Sequence, residues 1–149
     1  MIDELQWPSF RETRVVIMGC GQIGSTVANT MAGGHGSVHV IDKDPSAFGL
    51  LPEVLIDDGR ILALVGDGTL ESDLRRANAQ DCDIFIAVSG KDASNALAAQ
   101  IAKIVFQVET VICRMNDEAS KNMYAEAGIV AISVSELATD AIIKFSGKG

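Results

Sequence analysis

Residues 14–24 read RVVIMGCGQIG and carry the clearest structural signal in the chain. A short apolar run, rich in β-branched residues, is followed by the pattern Gly-x-Gly-x-x-Gly, formed by Gly19, Gly21 and Gly24. Glycine permits a tight turn after a strand, a close approach of the backbone to an anion, and close packing of the next helix. The pattern is weak by itself, but here it follows a strand and opens a helix, which favours a phosphate-binding loop.

Five further short apolar runs follow the first. Each is rich in β-branched residues and apolar on both faces, as strands within a buried parallel sheet are. Helical periodicity separates them, although residues 50–59 leave room only for a short helix. We expect strands at residues 14–18, 38–41, 61–65, 84–88, 111–113 and 130–132, and helices at 22–32, 92–106, 117–127 and 135–145.

This alternation predicts an α/β fold, a doubly wound parallel sheet of Rossmann type with six strands in the order 3-2-1-4-5-6. The apolar stripes expected to face the sheet comprise Ile23, Val27, Thr30 and Met31 in the first helix, and Leu97, Ile101, Ile104 and Val105 in the second. For the helix at 117–127, Asn116 is the expected N-cap, Asp117 is spaced to pair with Lys121, and Gly128 is the expected stop.

Composition narrows the class of protein. The chain has 149 residues, 48% of them hydrophobic and 21% charged, with a formal charge of −8, which is typical of one globular domain. An acidic chain without clustered Lys and Arg is not expected to bind nucleic acid. The three cysteines form no CxxC pair, so we expect buried free thiols and neither a metal site nor a disulfide.

Localisation is expected to be cytoplasmic. The longest stretch without Asp, Glu, Lys or Arg covers residues 15–41, and its glycines, Gln22 and histidines argue against a lipid-spanning helix. No basic segment followed by an apolar run opens the sequence, so no secretory signal is expected.

An anion is expected at the start of the first helix. Backbone N–H groups at that position lack helical partners, and the helix dipole favours negative charge there. In this segment the predicted cofactor-binding residues are Gly19, Cys20, Gly21, Gln22, Ile23 and Gly24. Gln22 is a weaker candidate, and Gly24 is expected to let the helix pack closely on the sheet.

Asp42 ends the second strand, where a carboxylate accepts hydrogen bonds from both ribose hydroxyls and repels a 2′-phosphate, so NADP is disfavoured. The alternative is a solvated acid in a strand-end turn. Lys43 is a weaker candidate for the phosphates.

Asp67, Gly68 and Thr69 follow the third strand. Asp67 is expected to lie beside the adenine, and Thr69 either lies there too or caps the next helix.

The fourth and fifth strands supply the remaining candidates. Ser89 follows the fourth strand at the point where the sheet changes direction, so it is expected to line the cleft. Asp92 is expected to cap the helix that follows. Arg114 ends the fifth strand and either reaches the phosphates or forms a salt bridge with Asp117 or Glu118.

Taken together, these motifs resemble a known family. VVIMGCGQIG at 15–24, VID at 40–42, GDGT at 66–69, IAVS at 86–89 with Asp92 and Asn95, and VICRMND at 111–117 come in order and at familiar spacings. Over residues 13–145 the chain resembles the N-terminal nucleotide-binding domain (RCK or TrkA-N) of Trk/Ktr-type potassium-transport regulators.

The resemblance implies a cytoplasmic regulator that binds NAD(H), or alternatively AMP, ADP or ATP, and changes ion flux through a membrane potassium channel or transporter. It also implies a homodimer or a higher ring. Some relatives carry Arg where this chain has the neutral Gln22, which leaves NAD, ADP or AMP favoured over recognition of a γ-phosphate. The family's usual second, ligand-binding domain is not found in this sequence.

The resemblance and the patterns together divide the chain into an N-terminal arm (1–13), a Rossmann domain (14–134) and a terminal helix with its tail (135–149). The apolar stripe of the terminal helix either crosses to a second protomer, as in the family, or packs on its own sheet. The arm, with Ile2, Leu5, Trp7 and Phe10, either folds over the sheet edge or docks on a partner.

Two other functions remain as alternatives. One is a fragment of an NAD-dependent oxidoreductase, since the same loop and acid serve dehydrogenases. The six strands and their helices occupy nearly the whole chain, however, and leave no substrate domain to supply an acid or base, so an enzyme is not expected. The other is an assembly domain with a vestigial cleft.

Overall fold

The computed structural model describes residues 9–147 and contains a six-stranded sheet in which every neighbouring pair of strands is parallel. The strand order is β3-β2-β1-β4-β5-β6, so the predicted fold class and order are confirmed. Because all strands run in one direction, their carboxyl ends meet at one edge of the sheet. The strands are β1 Arg14–Met18, β2 Ser37–Asp42, β3 Ile61–Val65, β4 Ile84–Ala87, β5 Thr110–Arg114 and β6 Val130–Ile132.

Helices connect consecutive strands. As expected, the connection between β2 and β3 is short and irregular, with a 3-10 helix at Pro45–Leu50 and a single short α-helix. The α-helices are α1 Gln22–Gly33, α2 Glu53–Asp57, α3 Glu71–Arg76, α4 Asp92–Gln100, α5 Glu118–Glu126 and α6 Val134–Ser146. None of the helices in the described part of the chain is both long and apolar enough to cross a membrane.

The core consists of two apolar layers, one on each face of the sheet. Alternate residues of β1 belong to different layers, because successive side chains of a strand point to opposite faces. Val15 and Ile17 pack with the small residues of α1, whereas Val16 and Met18 pack with Phe85 and the helices on the opposite face. The sheet is therefore covered on both faces, as parallel sheets are.

Small residues, rather than the predicted stripes, make the closest helix–sheet contacts. In α1 the buried residues are Gly24, Ser25, Ala28 and Ala32, while Ile23, Val27 and Met31 are only partly buried beside them. The residues of α1 that are buried all have small side chains or none. The predicted apolar stripe of α1 therefore lies beside the contact between the helix and the sheet and not at its centre.

The helix predicted at 92–106 is wrong in two respects. Its α-helical part ends at Gln100, and Ile101–Val105 form a π-helical turn in which the Phe106 N–H donates to the Ile101 carbonyl at 3.1 Å. Leu97, Ile104 and Val105, which were expected in the core, are exposed. Ala96, Ala98 and Ala99 of α4 are buried in their place.

The start of α5 also differs from the prediction. Asp117, not Asn116, is the N-cap, and its carboxylate accepts hydrogen bonds from the Ala119 N–H at 3.3 Å and the Ser120 hydroxyl at 2.7 Å. Lys121 pairs with Glu136 at 2.8 Å instead of with Asp117, whose carboxylate is already engaged at the cap.

The two ends of the chain bear on the remaining predictions. Of the predicted arm, Ile2, Leu5 and Trp7 lie outside the described residues. Phe10 is described, and it packs closely on Gly36.

The terminal helix α6 buries none of its residues: Ile142 is 64% and Phe145 84% exposed. The alternative in which this helix packs on its own sheet is therefore wrong.

Candidate functional site

A cleft of about 670 Å³ lies at the carboxyl edge of the sheet, between the loops that follow the strands. Its volume is within the range of small-molecule sites. It straddles β1 and β4, the neighbouring strands at which the chain order of the sheet reverses, which is where open α/β sheets bind ligands. Of the predicted site residues, those that line it are Gly19, Gly21, Gln22, Ile23, Asp42, Lys43, Asp67, Gly68, Thr69, Ser89 and Arg114.

Backbone geometry explains the first glycine of the loop. Gly19 has φ +105°, a conformation that residues with a side chain rarely adopt, and a Cβ there would lie 2.7 Å from the Ser89 backbone nitrogen. The loop can therefore pass close to the end of β4. Gly24 does not line the cleft; a Cβ there would overlap with the Gly19 carbonyl oxygen, so this glycine serves the packing of α1 against the loop.

The N-terminus of α1 opens into the cleft without a cap of its own. Among residues 9–147 no side chain caps it, and its first turn contains no acidic residue. The first helical hydrogen bond runs from the Ser25 N–H to the Gly21 carbonyl, so the N–H groups of Gln22 and Ile23 have no helical acceptor. A Cβ on Gly21 would have no protein atom within 4 Å. An anion at this position would therefore meet backbone donors and open space.

Asp42 organises the loop as well as lining the cleft. One carboxylate oxygen accepts from the Cys20 N–H at 2.8 Å and the other from the Asp44 N–H at 2.8 Å. Cys20, a predicted cofactor-binding residue, does not line the cleft, and its amide is engaged by Asp42. The Cys20 side chain is fully buried in the core, and burial, with a smaller contribution from the charge of Asp42, raises the pKa of its thiol to about 11.

Cys20, Cys82 and Cys113 are all buried free thiols, as the sequence predicted. Burial raises the pKa of Cys82 to about 12 and that of Cys113 to about 11. At neutral pH all three are protonated, so none presents a thiolate to the cleft.

The loop after β3 is held by its own acid. One oxygen of Asp67 accepts from the Thr69 hydroxyl at 2.6 Å and from the Thr69 N–H at 2.9 Å, while Lys43 lies 3.5 Å from the other. These hydrogen bonds from Thr69, assisted by the charge of Lys43, hold the pKa of Asp67 below its usual value. The prediction that Thr69 caps the next helix is wrong, since its hydroxyl is bound to Asp67 and α3 starts after Leu70 without a side-chain cap.

Asn95 joins the ends of β4 and β5 behind the cleft wall. It is fully buried, and its side chain bonds with Ser89 and with the Arg114 carbonyl. Asp92 likewise joins two segments rather than capping α4 as predicted: its carboxylate accepts from the Asn116 N–H at 3.0 Å, and α4 has no side-chain cap. The sequence places Asn95 in the motif that carries the family resemblance, but nothing in the sequence reports its hydrogen-bond partners.

Arg114 reaches the cleft with part of its guanidinium unpaired. Its Nε is buried and has no hydrogen-bond partner within residues 9–147. The predicted alternative, a salt bridge to Asp117 or Glu118, is not formed in that part of the chain. A buried donor without an acceptor is costly, which points to an anion from outside the chain.

Sequence reasoning missed several lining residues, most of them neighbours of predicted ones. Two of them, Asp44 and Lys91, are charged. Both lie in turns just after strands, and that position in the sequence could have predicted them as cleft residues. The acids of the lining are Asp42, Asp44 and Asp67, and the bases are Lys43, Lys91 and Arg114, so the cleft is formally neutral in a chain of charge −8. The missed residues are Met18, Ile41, Asp44, Ala47, Gly66, Val88, Gly90, Lys91 and Ser94.

The fold and cleft define the chain as an α/β domain of Rossmann type with a glycine-rich loop at the switch point of its sheet. More specifically, residues 15–135 match the model of the TrkA-N domain, so the chain belongs to the TrkA-N domain family. It is 34% identical over 130 residues to the Trk system potassium uptake protein TrkA of Streptomyces coelicolor, covering 87% of this chain and 56% of that protein. It is 31% identical over 135 residues to the protein of that name from Halomonas elongata, covering 87% and 29%. The chain thus spans about half or less of these relatives' length.

Solved structures share the fold at low sequence identity. The TrkA-N domain of the inner membrane protein ybaL from Escherichia coli has a TM-score of 0.76 at 13% identity, covering 89% of this chain and 96% of that one. The Kef C-terminal domain of Shewanella denitrificans in its AMP-bound form has a TM-score of 0.70 at 15% identity, covering 92% and 84%. The GsuK channel bound to NAD has a TM-score of 0.67 at 14% identity, covering 88% and 23%.

Proposed function

We propose that this chain is the nucleotide-sensing domain of a cytoplasmic regulator of a potassium channel or transporter. In this proposal the cleft binds NAD, NADH or an adenine nucleotide, and the bound nucleotide alters the shape of the assembly and the ion flux. The observation that carries the proposal is the buried Arg114 Nε, which lacks a partner within residues 9–147 in a cleft that also exposes the N-terminus of α1.

Each part of the cleft suits one part of a nucleotide. The N–H groups of Gly21, Gln22 and Ile23 would hold a phosphate, with Gly19 shaping the turn, and Arg114 would supply the positive charge. Asp42 keeps lone pairs for the ribose hydroxyls, since each of its oxygens accepts one hydrogen bond from the loops. Asp67, Gly68 and Thr69, with Lys43 beside them, would border the adenine.

The comparisons support two classes of ligand. GsuK is a channel bound to NAD, and the Kef domain is in an AMP-bound form. Gln22 adds no positive charge to the loop, and Lys43 is paired with Asp67, so little in this part of the cleft compensates a terminal γ-phosphate. We therefore place NAD(H), AMP and ADP ahead of ATP.

We propose that the protein acts as a homodimer or a higher ring. The exposed apolar face of α6 supports this proposal, because Leu137, Ile142 and Phe145 leave a helix face that a second copy would bury. The division into arm (1–13), Rossmann domain (14–134) and terminal helix (135–149) belongs to the same proposal. Through its membrane partner the assembly would lie at the inner face of the cell membrane.

Regulation would operate by a shift of populations. A nucleotide that binds one arrangement of the domains more tightly than another stabilises that arrangement by the difference in binding free energy. A ligand with equal affinity for both would change nothing. No residue is assigned a catalytic role, and NAD turnover with a small alcohol or hydroxy acid would contradict the proposal in favour of an oxidoreductase.

Thermal unfolding with a panel of NAD, NADH, AMP, ADP and ATP tests the proposal. Because a ligand that binds only the folded state raises the melting temperature, at least one member should raise it in a saturable manner. ATP is expected to have a smaller effect than NAD or ADP. Failure of every nucleotide to raise the melting temperature at millimolar concentration would overturn the proposal.

A further inference from the structure

Asn95 makes four hydrogen bonds at the point where β4 and β5 end. Its Oδ1 accepts from the Ser89 N–H at 2.9 Å and lies 2.7 Å from the Ser89 hydroxyl, and its Nδ2 donates to the Ser89 carbonyl at 2.9 Å and the Arg114 carbonyl at 3.1 Å. The side chain is fully buried and does not line the cleft itself. It therefore touches the cleft only through Ser89 and Arg114.

The orientation of the Asn95 amide follows from the chemistry of its partners. The two backbone carbonyls can only accept, so the NH₂ group must face them, and the Ser89 N–H can only donate, so the oxygen must face it. With Oδ1 fixed, the Ser89 hydroxyl donates its proton to that oxygen at 2.7 Å, since its other acceptor, the Lys91 carbonyl, is more distant at 3.4 Å. The hydroxyl proton of Ser89 therefore points into the protein and cannot be donated to a ligand.

This orientation fixes what Ser89 offers to a ligand. Ser89 lines the cleft, and because the Lys91 N–H, at 3.3 Å, donates to one of the two lone pairs of its hydroxyl oxygen, one lone pair remains for a ligand. A phosphate oxygen is itself an acceptor and makes a poor partner for such a group. A ribose hydroxyl or a carboxamide N–H is a donor and makes a good one.

We propose that Asn95 is a positioning residue that fixes Ser89 as a hydrogen-bond acceptor, so that this end of the cleft takes a hydroxyl or amide donor from the ligand and not a terminal phosphate. The inference rests on the proposed function and narrows its ligand class toward a dinucleotide. NAD continues beyond its pyrophosphate with a second ribose, whereas ADP ends in a phosphate.

Calorimetric titration of Ser89→Ala with NAD and with ADP tests the role of the hydroxyl. Loss of one hydrogen bond should weaken NAD binding by about threefold to tenfold and leave ADP binding within about twofold. Unchanged NAD affinity, or an equal loss for ADP, would overturn the inference. A wild type that bound neither NAD nor ADP would also overturn this inference, whereas the proposed function fails only if NADH, AMP and ATP fail to bind as well.

Asn95→Asp tests the positioning role, because a carboxylate oxygen would then face two carbonyls. We expect NAD binding about tenfold weaker in protein that circular dichroism shows to be folded, and no more than about twofold further loss in the double variant with Ser89→Ala. Asn29→Asp, which adds the same charge on an exposed part of α1, should bind as the wild type does. Additive losses in the double variant would refute positioning through Ser89, and if Asn95→Asp does not fold, the Ser89→Ala result decides.

Discussion

Asp42 performs two tasks at the residue scale, because its carboxylate anchors the glycine loop through the Cys20 N–H and also lines the cleft. We predict that Asp42→Ala weakens NAD binding by about 1.5–3 kcal/mol, the range of hydrogen bonds to charged groups. Calorimetry measures the loss. Asp58→Ala, which removes an exposed acid in a turn away from the cleft, is the matched control and should bind normally. Equal affinities for the two variants would remove Asp42 from the site.

Asp67 gives the stability of the protein a dependence on pH. Its pKa lies below the usual 3.8 in the folded protein, chiefly because the Thr69 hydroxyl donates to it. The unfolded chain therefore binds more protons just below pH 4, so this acid contributes stability that is present above that pH and lost as pH falls through the folded pKa.

Thr69→Val removes the hydroxyl and should raise the pKa of Asp67 toward its usual value. The rise of unfolding free energy with pH between about pH 2 and 5 should then be shallower than in the wild type. Carboxyl NMR titration gives the pKa, and denaturant unfolding gives the slope. Thr139→Val, at an exposed position of α6, is the control. An unaltered Asp67 pKa in Thr69→Val would show that this hydrogen bond is unimportant.

How much of the site the sequence predicts depends on what each residue does. Asp42, Asp67 and Arg114 were found because cleft residues of this fold follow strand ends, which apolar runs reveal. The bonds of Cys20 to Asp42 and of Asn95 to Arg114 join residues far apart in the chain. Nothing in local periodicity reports such partners, so their roles were missed.

At the scale of the element, two neighbouring residues are candidates for the N-cap of α5, and substitutions can distinguish them. Asp117→Ala should lower the free energy of unfolding by about 0.5–2 kcal/mol, because two hydrogen bonds to its carboxylate are lost. Asn116→Ala, the neighbouring residue that sequence favoured, should have little effect. Urea unfolding of both variants provides the measurement, and a larger loss for Asn116→Ala would contradict the structure.

Helices were located well from sequence, but their buried faces were not. Periodicity marks where apolar residues recur, whereas the distance between helix and sheet decides which of them fit. The positions of α1 and α4 that are fully buried include Ala28 and Ala98, which have small side chains. Ile104 and Leu97 were consequently assigned to the core when they are exposed. The π-helical turn had no local signal either, since the same residues suit an α-helix.

At the scale of the whole molecule, the exposed apolar face of α6 leads us to expect that the chain associates with a second copy. Phe145→Ser should change the unfolding free energy of the isolated chain by no more than about 0.5 kcal/mol, since this side chain is 84% exposed. It should nevertheless lower the mass measured by light scattering from that of an oligomer toward one chain. Lys144→Ser, next to it, is the control. A wild-type mass of one chain at micromolar concentration would contradict the proposed dimer.

The central claim is that the start of α1 holds a phosphate of a bound nucleotide, and Gly21 offers the most direct measurement of it. A Cβ at Gly21 would have no atom within 4 Å apart from its chain neighbours, so Gly21→Val should fold while its side chain occupies the space in front of the loop amides. Gly33→Val, equally open but at the far end of α1, is the matched control. In calorimetric titrations with NAD we predict saturable binding by the wild type and Gly33→Val and none by a folded Gly21→Val. Binding of NAD to Gly21→Val with wild-type affinity would contradict the account.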